Sequence, residues 1–300
     1  MLTTPARLGD RLSAAIQFFW VTGSVGRPRD HNLGVGPLAA QIELLEDRTL
    51  LNGVLAAVVD GPLLHAAEHA AHIATPFGSL AVDPGVSDEV AALYAAQSPP
   101  AAAPPFPLGQ TFLLNSSPSS SKVIYLDFNG HTTNDPSWNS GTAFDTPAYD
   151  IDNNVASFSN QELENIQIIW QHVMEDFAPF DVNVTTEDPG IERLRNTGGG
   201  DTQWGIRVVI GGDGAWYGSA GGVAYIGSFT DNVDRPTFVF EDNLGDGFPK
   251  FVAEAISHEV GHTLGLDHDG RTSPAEDYYE GHGSGPTGWA PSWASDTTAN

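Results

Sequence analysis

The 300-residue sequence predicts a mixed α/β domain with a twisted, mainly parallel sheet, beginning at Lys122 and preceded by a segment of different character. Two observations carry that prediction. From Lys122 onward, apolar runs alternate with Gly-, Asn- and Asp-rich turns in the order strand, helix, four strands, helix. Before it, from Ala56 to Ser121, the chain is dominated by Ala, Pro and Ser, which reads as a short helix or two followed by a Pro-rich extended linker.

Each element has its own warrant. Val123–Phe128 (VIYLDF) is a continuous apolar run suited to a buried strand. Ser159 or Asn160 can cap a helix running to about Phe177, along which Leu163, Ile166, Ile169, Trp170 and Val173 recur at helical spacing. Asp181–Thr186 alternates as a half-exposed strand does, and Ile206–Gly211 reads as a buried one. Gly221–Phe229 and Thr237–Glu241 supply two further strands, and a helix from about Lys250 to Leu264 closes the series. The expected result is a five-stranded sheet with two main helices.

Composition removes several classes of function. There is no cysteine, so disulfides, thiolate metal sites, cysteine nucleophiles and any cysteine-based latch are excluded. The formal charge is −26, of which −21 is carried from Lys122 onward and −5 by residues 51–121, which contain no Lys or Arg. A surface of that sign repels phosphate backbones, so nucleic acid is not an expected partner. No run reaches the roughly 20 apolar residues that span a bilayer. Leu12–Val25 follows Arg7 and Arg11 but makes a poor export signal, with Gln17 in its middle. The chain is expected to act as a monomer.

The chemistry concentrates in HEVGHTLGLDHD, His258 to Asp269. Residues four apart on a helix lie one turn apart on the same face, so His258 and His262 can bind one ion. Gly265 can adopt a left-handed conformation and turn the chain, which returns His268 toward the metal. Zinc takes imidazole nitrogen at about 2.0–2.1 Å, and three protein ligands leave a fourth position open, as catalytic sites do. Glu259 faces the same cleft and is placed to take a proton from water activated there.

These residues resemble the metzincin clan of zinc metalloproteases, nearest its matrixin-like and reprolysin-like bacterial members. The clan pattern falls on His258, Glu259, His262, Gly265 and His268, with Asp269 matching the reprolysin-type continuation. The resemblance implies a metzincin-like twisted five-stranded sheet, zinc as cofactor, and endopeptidase activity on extended polypeptide. It also implies an antiparallel edge strand that aligns substrate, for which Gly222–Gly227 is the candidate. Asp269 would anchor the zinc helix rather than bind metal. Separately, Gln41–Gly53 (QIELLEDRTLLNG) resembles the LEPR-XLL segment of large exported planctomycete proteins, which implies secretion or display at the cell surface. Residues 55–121 would then be a linker or a pro-segment, one with no thiolate to block the metal.

Other residues weigh less. His65, Glu68 and His69 spell the inverted motif HAAEH, with His72 on the same expected helical face, but no core surrounds them and a solvated helix face is the better reading. His131, His172, Tyr278, Tyr279 and His282 read as structural or loop residues. Calcium could occupy the oxygen-rich turns Gly211–Gly214, with Asp213, and Asp145–Asn154, although neither has a recognised loop spacing.

One departure from the clan pattern is specific. Metzincins place a methionine turn beneath the zinc, and the only methionines here are Met1 and Met174. Gly288–Thr298 (GWAPSWASDTT) resembles a GWAPIMG turn with Trp293 in the methionine position. Deleting one base from codons for Pro-Ile-Met-Gly-Val-Gly-Tyr-Tyr yields Pro-Ser-Trp-Ala-Ser-Asp-Thr-Thr, the sequence of Pro291–Thr298. The expectation is a frameshift that makes Ser292–Asn300 an out-of-frame tail and leaves activity impaired. Sequencing the gene across this region should reveal an Ile-Met-Gly continuation in the neighbouring frame; a neighbouring frame without one removes the frameshift.

Overall fold

The structure is a computed structural model that describes residues 71–97, 104–268, 271–272 and 275–276. These fall into two compact units, one running to Leu266 and a second that takes over at Asp267. The first unit contains a seven-stranded sheet, β1 (Ala71–Thr75), β2 (Gly78–Pro84), β3 (Lys122–Asp127), β6 (Asn183–Thr185), β7 (Trp204–Ile210), β8 (Ala220–Tyr225) and β9 (Thr237–Val239), in the order β1-β2-β8-β9-β7-β3-β6. A side hairpin pairs β4 (His131–Thr133) with β5 (Phe144–Thr146). Its helices are α1 (Asp88–Gln97), α2 (Asn160–Phe177) and α3 (Pro249–Thr263). In the second unit the described residues include a short antiparallel ladder between Arg271–Thr272 and Ala275–Glu276.

The mixed α/β class and all five expected strands are present, within one to four residues of their expected ends. β3 pairs in parallel with β6 and β7, and β7 in parallel with β9, while β8 runs antiparallel to β9. The apolar runs follow from this placement: Val123, Ile124, Leu126, Val208, Val209 and Ile210 are buried, as expected of parallel strands in the interior of a sheet. The polar exception is Arg207 on β7, whose guanidinium contacts Asp127 at 2.5 Å and Asp234 at 3.0 Å. Planar guanidinium suits such paired carboxylates; Asp127 is buried with it and Asp234 partly so.

α2 starts where its sequence dictates. The Ser159 side chain accepts from the Glu162 amide, and the Glu162 carboxylate accepts from the Ser159 amide at 2.6 Å, a complete capping box. Ile166, Ile169, Trp170, Val173 and Phe177 form its buried stripe, and Trp170 Nε1 donates to the Val184 carbonyl on β6.

The segment before Lys122 departs from the expectation. β1 and β2 form a hairpin where a helical stretch around His72 was expected, and β2 adds antiparallel to β8, extending the sheet from five strands to seven. Residues 104–121 are not a free extended linker: the 3-10 turn Leu108–Leu113 packs on α2. Gln167 there donates to Thr111 and accepts from the Phe106 amide, and Thr186 donates to the Thr111 carbonyl. Strand identity for such a segment is set by the edge it joins more than by its own composition. The 41–53 segment, HAAEH (65–69), Asp269, Tyr278, Tyr279, His282 and Trp293 lie outside the described residues.

Near the loop after β9, Glu241 is buried and its Oε2 has no hydrogen-bond partner among the described residues. Burial, above all, raises its carboxyl well above the ordinary range, and Asp242 adds to the shift. A carboxyl that holds its proton more tightly when folded contributes stability at low pH that is lost as pH rises through the folded pKa. Glu241→Gln should therefore raise the melting temperature by a few degrees at about pH 8, with the gain shrinking toward about pH 5. Equal shifts at both pH values in a thermal scan would contradict this.

Candidate metal centre

The site begins at the C-terminal end of α3. Pro249 occupies its first turn, where a missing N–H costs nothing. Phe251, Val252, Ala253, Ile256 and Val260 are buried and seat the helix in the core. Its end is a complete Schellman motif: the Leu266 amide donates to the Gly261 carbonyl at 3.0 Å and the Gly265 amide to the His262 carbonyl at 2.8 Å. Gly265 sits at φ 95°, the left-handed conformation expected of it.

That turn orients the second histidine. His262 is fully buried, and its Nδ1 lies 2.8 Å from the Leu266 carbonyl oxygen. A carbonyl only accepts, so Nδ1 carries a proton and it is Nε2 that faces outward, unprotonated in the neutral tautomer. His258 Nε2 lies 2.9 Å from His262 Nε2, the two rings near-perpendicular at 76°. Helical spacing thus converges two ring nitrogens on one point, as the sequence predicted.

A third group faces the same point. Asp83, the penultimate residue of β2, places Oδ1 at 3.2 Å from His258 Nε2 and Oδ2 at 3.3 Å from His262 Nε2. Asp83, His258 and His262 each bring a ligand-capable atom within 4.8 Å of the others. Nothing in the sequence marked Asp83: it carries no motif and sits in a stretch whose composition reads as linker. His268 belongs to the second unit, in the segment that begins at Asp267.

Glu259 is fully buried, and neither carboxylate oxygen meets a hydrogen-bond donor among the described residues. Burial first, then the charge of the Asp83 carboxyl beside it, hold Glu259 well above the usual carboxylate range. It packs against Gly222 of β8, where a Cβ would overlap Oε1 and approach Cδ and Cγ at 2.7 Å. A bare backbone at 222 is what gives the carboxyl its place. Tyr217 is the nearest half-buried phenol: burial first, then Tyr225 and Glu259, push it up to about 12, so it remains a donor at neutral pH.

The donor set fits zinc. Two imidazole Nε2 atoms 2.9 Å apart, one of them on a ring bonded through Nδ1 to a carbonyl, and a carboxylate on the same point form a nitrogen- and oxygen-rich shell for a dication, with a buried carboxyl beside it. Calcium has no comparable support. Asp150, Asp152 and Glu162 form an acidic group, but both Glu162 oxygens already accept, from the Ile151 and Ser159 amides. His131 is half-buried beside Asp127, away from this centre.

The family model Reprolysin_3, described as metallo-peptidase family M12B reprolysin-like, matches residues 179–269. The match begins just before β6, ends at Asp269 and covers less than a third of the chain. It supports a metzincin-type zinc metalloprotease. No curated protein and no solved structure matches significantly.

Gly222→Ala should cost about 1–3 kcal/mol through overpacking against Glu259. Combining it with Glu259→Ala should recover most of that loss in a double-mutant cycle. Additive losses in denaturant titrations would show that the glycine does not make room for the carboxyl.

Proposed function

We propose that this chain is a zinc endopeptidase acting on extended polypeptide, with His258, His262 and His268 as metal ligands and Glu259 as general base. The convergence of His258 and His262 Nε2 beside a buried carboxyl on the same helix turn carries this reading. The reprolysin-like match over residues 179–269 supports it independently.

Zinc, when bound, supplies Lewis acidity that polarises a peptide carbonyl and makes water acidic at neutral pH. The chain's own residues do the rest. His262 keeps its lone pair aimed at the metal because Leu266 fixes the other nitrogen. Glu259, one residue from His258 and with both oxygens unpaired among the described residues, is placed to accept a proton from water and return it to a departing amine. β8 pairs with β9 on one side and with β2 on the other, and a peptide taking the place of β2 as a strand would be held in extended form. The LEPR-XLL-like segment supports export, and no described helix is long and apolar enough to cross a membrane.

The absent methionine favours a second reading, a domain that binds zinc or peptide without turnover. Zinc analysis and cleavage of a peptide library by the wild type and Glu259→Ala separate the two. The expected result is about one zinc per chain in both proteins, with cleavage reduced by about 10²–10⁴ in the variant. No zinc in either protein would overturn the metal site. Equal, negligible cleavage by both zinc-loaded proteins would favour the second reading.

A further inference from the structure

The five expected strands would leave β8 as the antiparallel edge beside the zinc helix, the place for an extended substrate. That edge is filled by the chain itself. β2 pairs antiparallel with β8 in the register Leu80–Tyr225, Ala81–Ala224, Val82–Val223 and Asp83–Gly222. The register shifts between Asp83 and Pro84, beside the metal centre, and the pairing continues to Pro84–Ala220. We propose that β2 is a built-in occupant of the substrate edge and that Asp83 is a metal ligand of the latent protein, filling the coordination position that catalysis needs open. The proposal rests on the zinc-site reading above.

Three independent features support it. The Asp83 carboxyl is shared between both imidazole nitrogens, as a ligand's would be, at 3.2 and 3.3 Å. A side-chain carboxylate faces that point instead of a peptide carbonyl, so the strand offers no bond for hydrolysis there. The occupant is also anchored on both sides of Asp83. Before it, Leu80 and Ala81 are buried, Leu80 within the aromatic core of Trp138, Phe238 and Phe240. After it, the Val86 amide donates to the Asn243 carbonyl at 2.7 Å and the Gly245 amide to the Val86 carbonyl at 2.8 Å. Tyr94 of α1 then packs on Phe248 and Phe251 at the start of the zinc helix. Finally, the receiving surface is cut to the occupant: Gly221 lies so close to Pro84 that a Cβ would sit 2.5 Å from the Pro84 carbonyl oxygen. A covalently tethered strand competes with free peptide at high effective concentration, which is what a latch requires. It also does in oxygen chemistry what a cysteine latch does with sulfur, and this chain has no cysteine.

The test uses the full chain as wild type, Asp83→Ala and Asp83→Asn, each loaded with cobalt in place of zinc. The readouts are metal content, the visible cobalt bands and the affinity for acetohydroxamate. The expected result is one metal per chain in all three, with altered cobalt bands and at least ten-fold tighter acetohydroxamate binding in both variants. Zinc-loaded Asp83→Ala should also cleave peptide at least ten-fold faster than the wild type. The same bands and the same acetohydroxamate affinity in three metal-loaded proteins would overturn Asp83 as a ligand while leaving the zinc site standing. Absence of metal from all three would overturn the zinc site, and the latch with it. Circular dichroism of both variants reports folding, and the near-isosteric Asn variant preserves the strand's shape if Ala does not.

Discussion

The carbonyl of Leu266 accepting from His262 Nδ1 is the contact on which the site depends. It exists because the chain reverses at Gly265 in a Schellman turn, and that turn also satisfies the last carbonyls of the zinc helix. One local device therefore ends the helix, fixes a tautomer and aims a lone pair. The helix end is tied from the other side as well, since the Gly227 amide, just past β8, donates to the His262 carbonyl at 2.9 Å. The end of β8 and the turn that carries His262 are thus tied by a hydrogen bond. Movement of one without the other would expose a buried polar group, at a cost of about 1–3 kcal/mol.

The same coupling explains why the N-terminal hairpin matters to the fold. An antiparallel edge strand presents unpaired main-chain groups, and proteins cover or interrupt such edges. Here β2 covers β8 and contributes Leu80 and half-buried Val82 to the cluster built on Trp138, Val223, Tyr225, Phe238 and Phe240. The hairpin is accordingly part of the first unit's core. Any process that removed it would expose both hydrogen-bonding edge and apolar surface at once, which is the character of a peptide-binding groove.

What the sequence made legible was local. The helix cap at Ser159, the histidines four apart and the left-handed glycine at 265 are each decided by residues within one or two turns, and each is found in the structure. The long apolar runs at β3 and β7 were equally readable because parallel strands in a sheet interior need no alternation. What escaped was decided at long range. Residues 71–84 have no strand signature of their own, and their conformation comes from the edge they join. Asp83 is one of many acids in a chain of charge −26, and only its position opposite two histidines about 175 residues away singles it out. Gly222 looked like an ordinary strand glycine, and its purpose appears only when the Glu259 carboxyl is seen packed against it.

Electrostatics ties these long-range pieces together. Asp83 and Glu259 bring two carboxyl groups into the same water-poor space, and like charges at short range in a poorly solvated site raise one another's proton affinity. His262 is tied at Nδ1 to the Leu266 carbonyl, so it is the Nε2 side of the ring that meets these carboxyl groups. A dication at the meeting point of the nitrogens is the charge that balances both carboxylates, and it would let Glu259 ionise. Withdrawing Asp83 with its strand then changes two things together: it removes one negative charge from the centre and opens Glu259 to water. The residue that blocks the metal and the strand that blocks the substrate edge are the same segment, so a single displacement would supply both the vacant coordination position and the vacant edge that hydrolysis of an extended peptide requires.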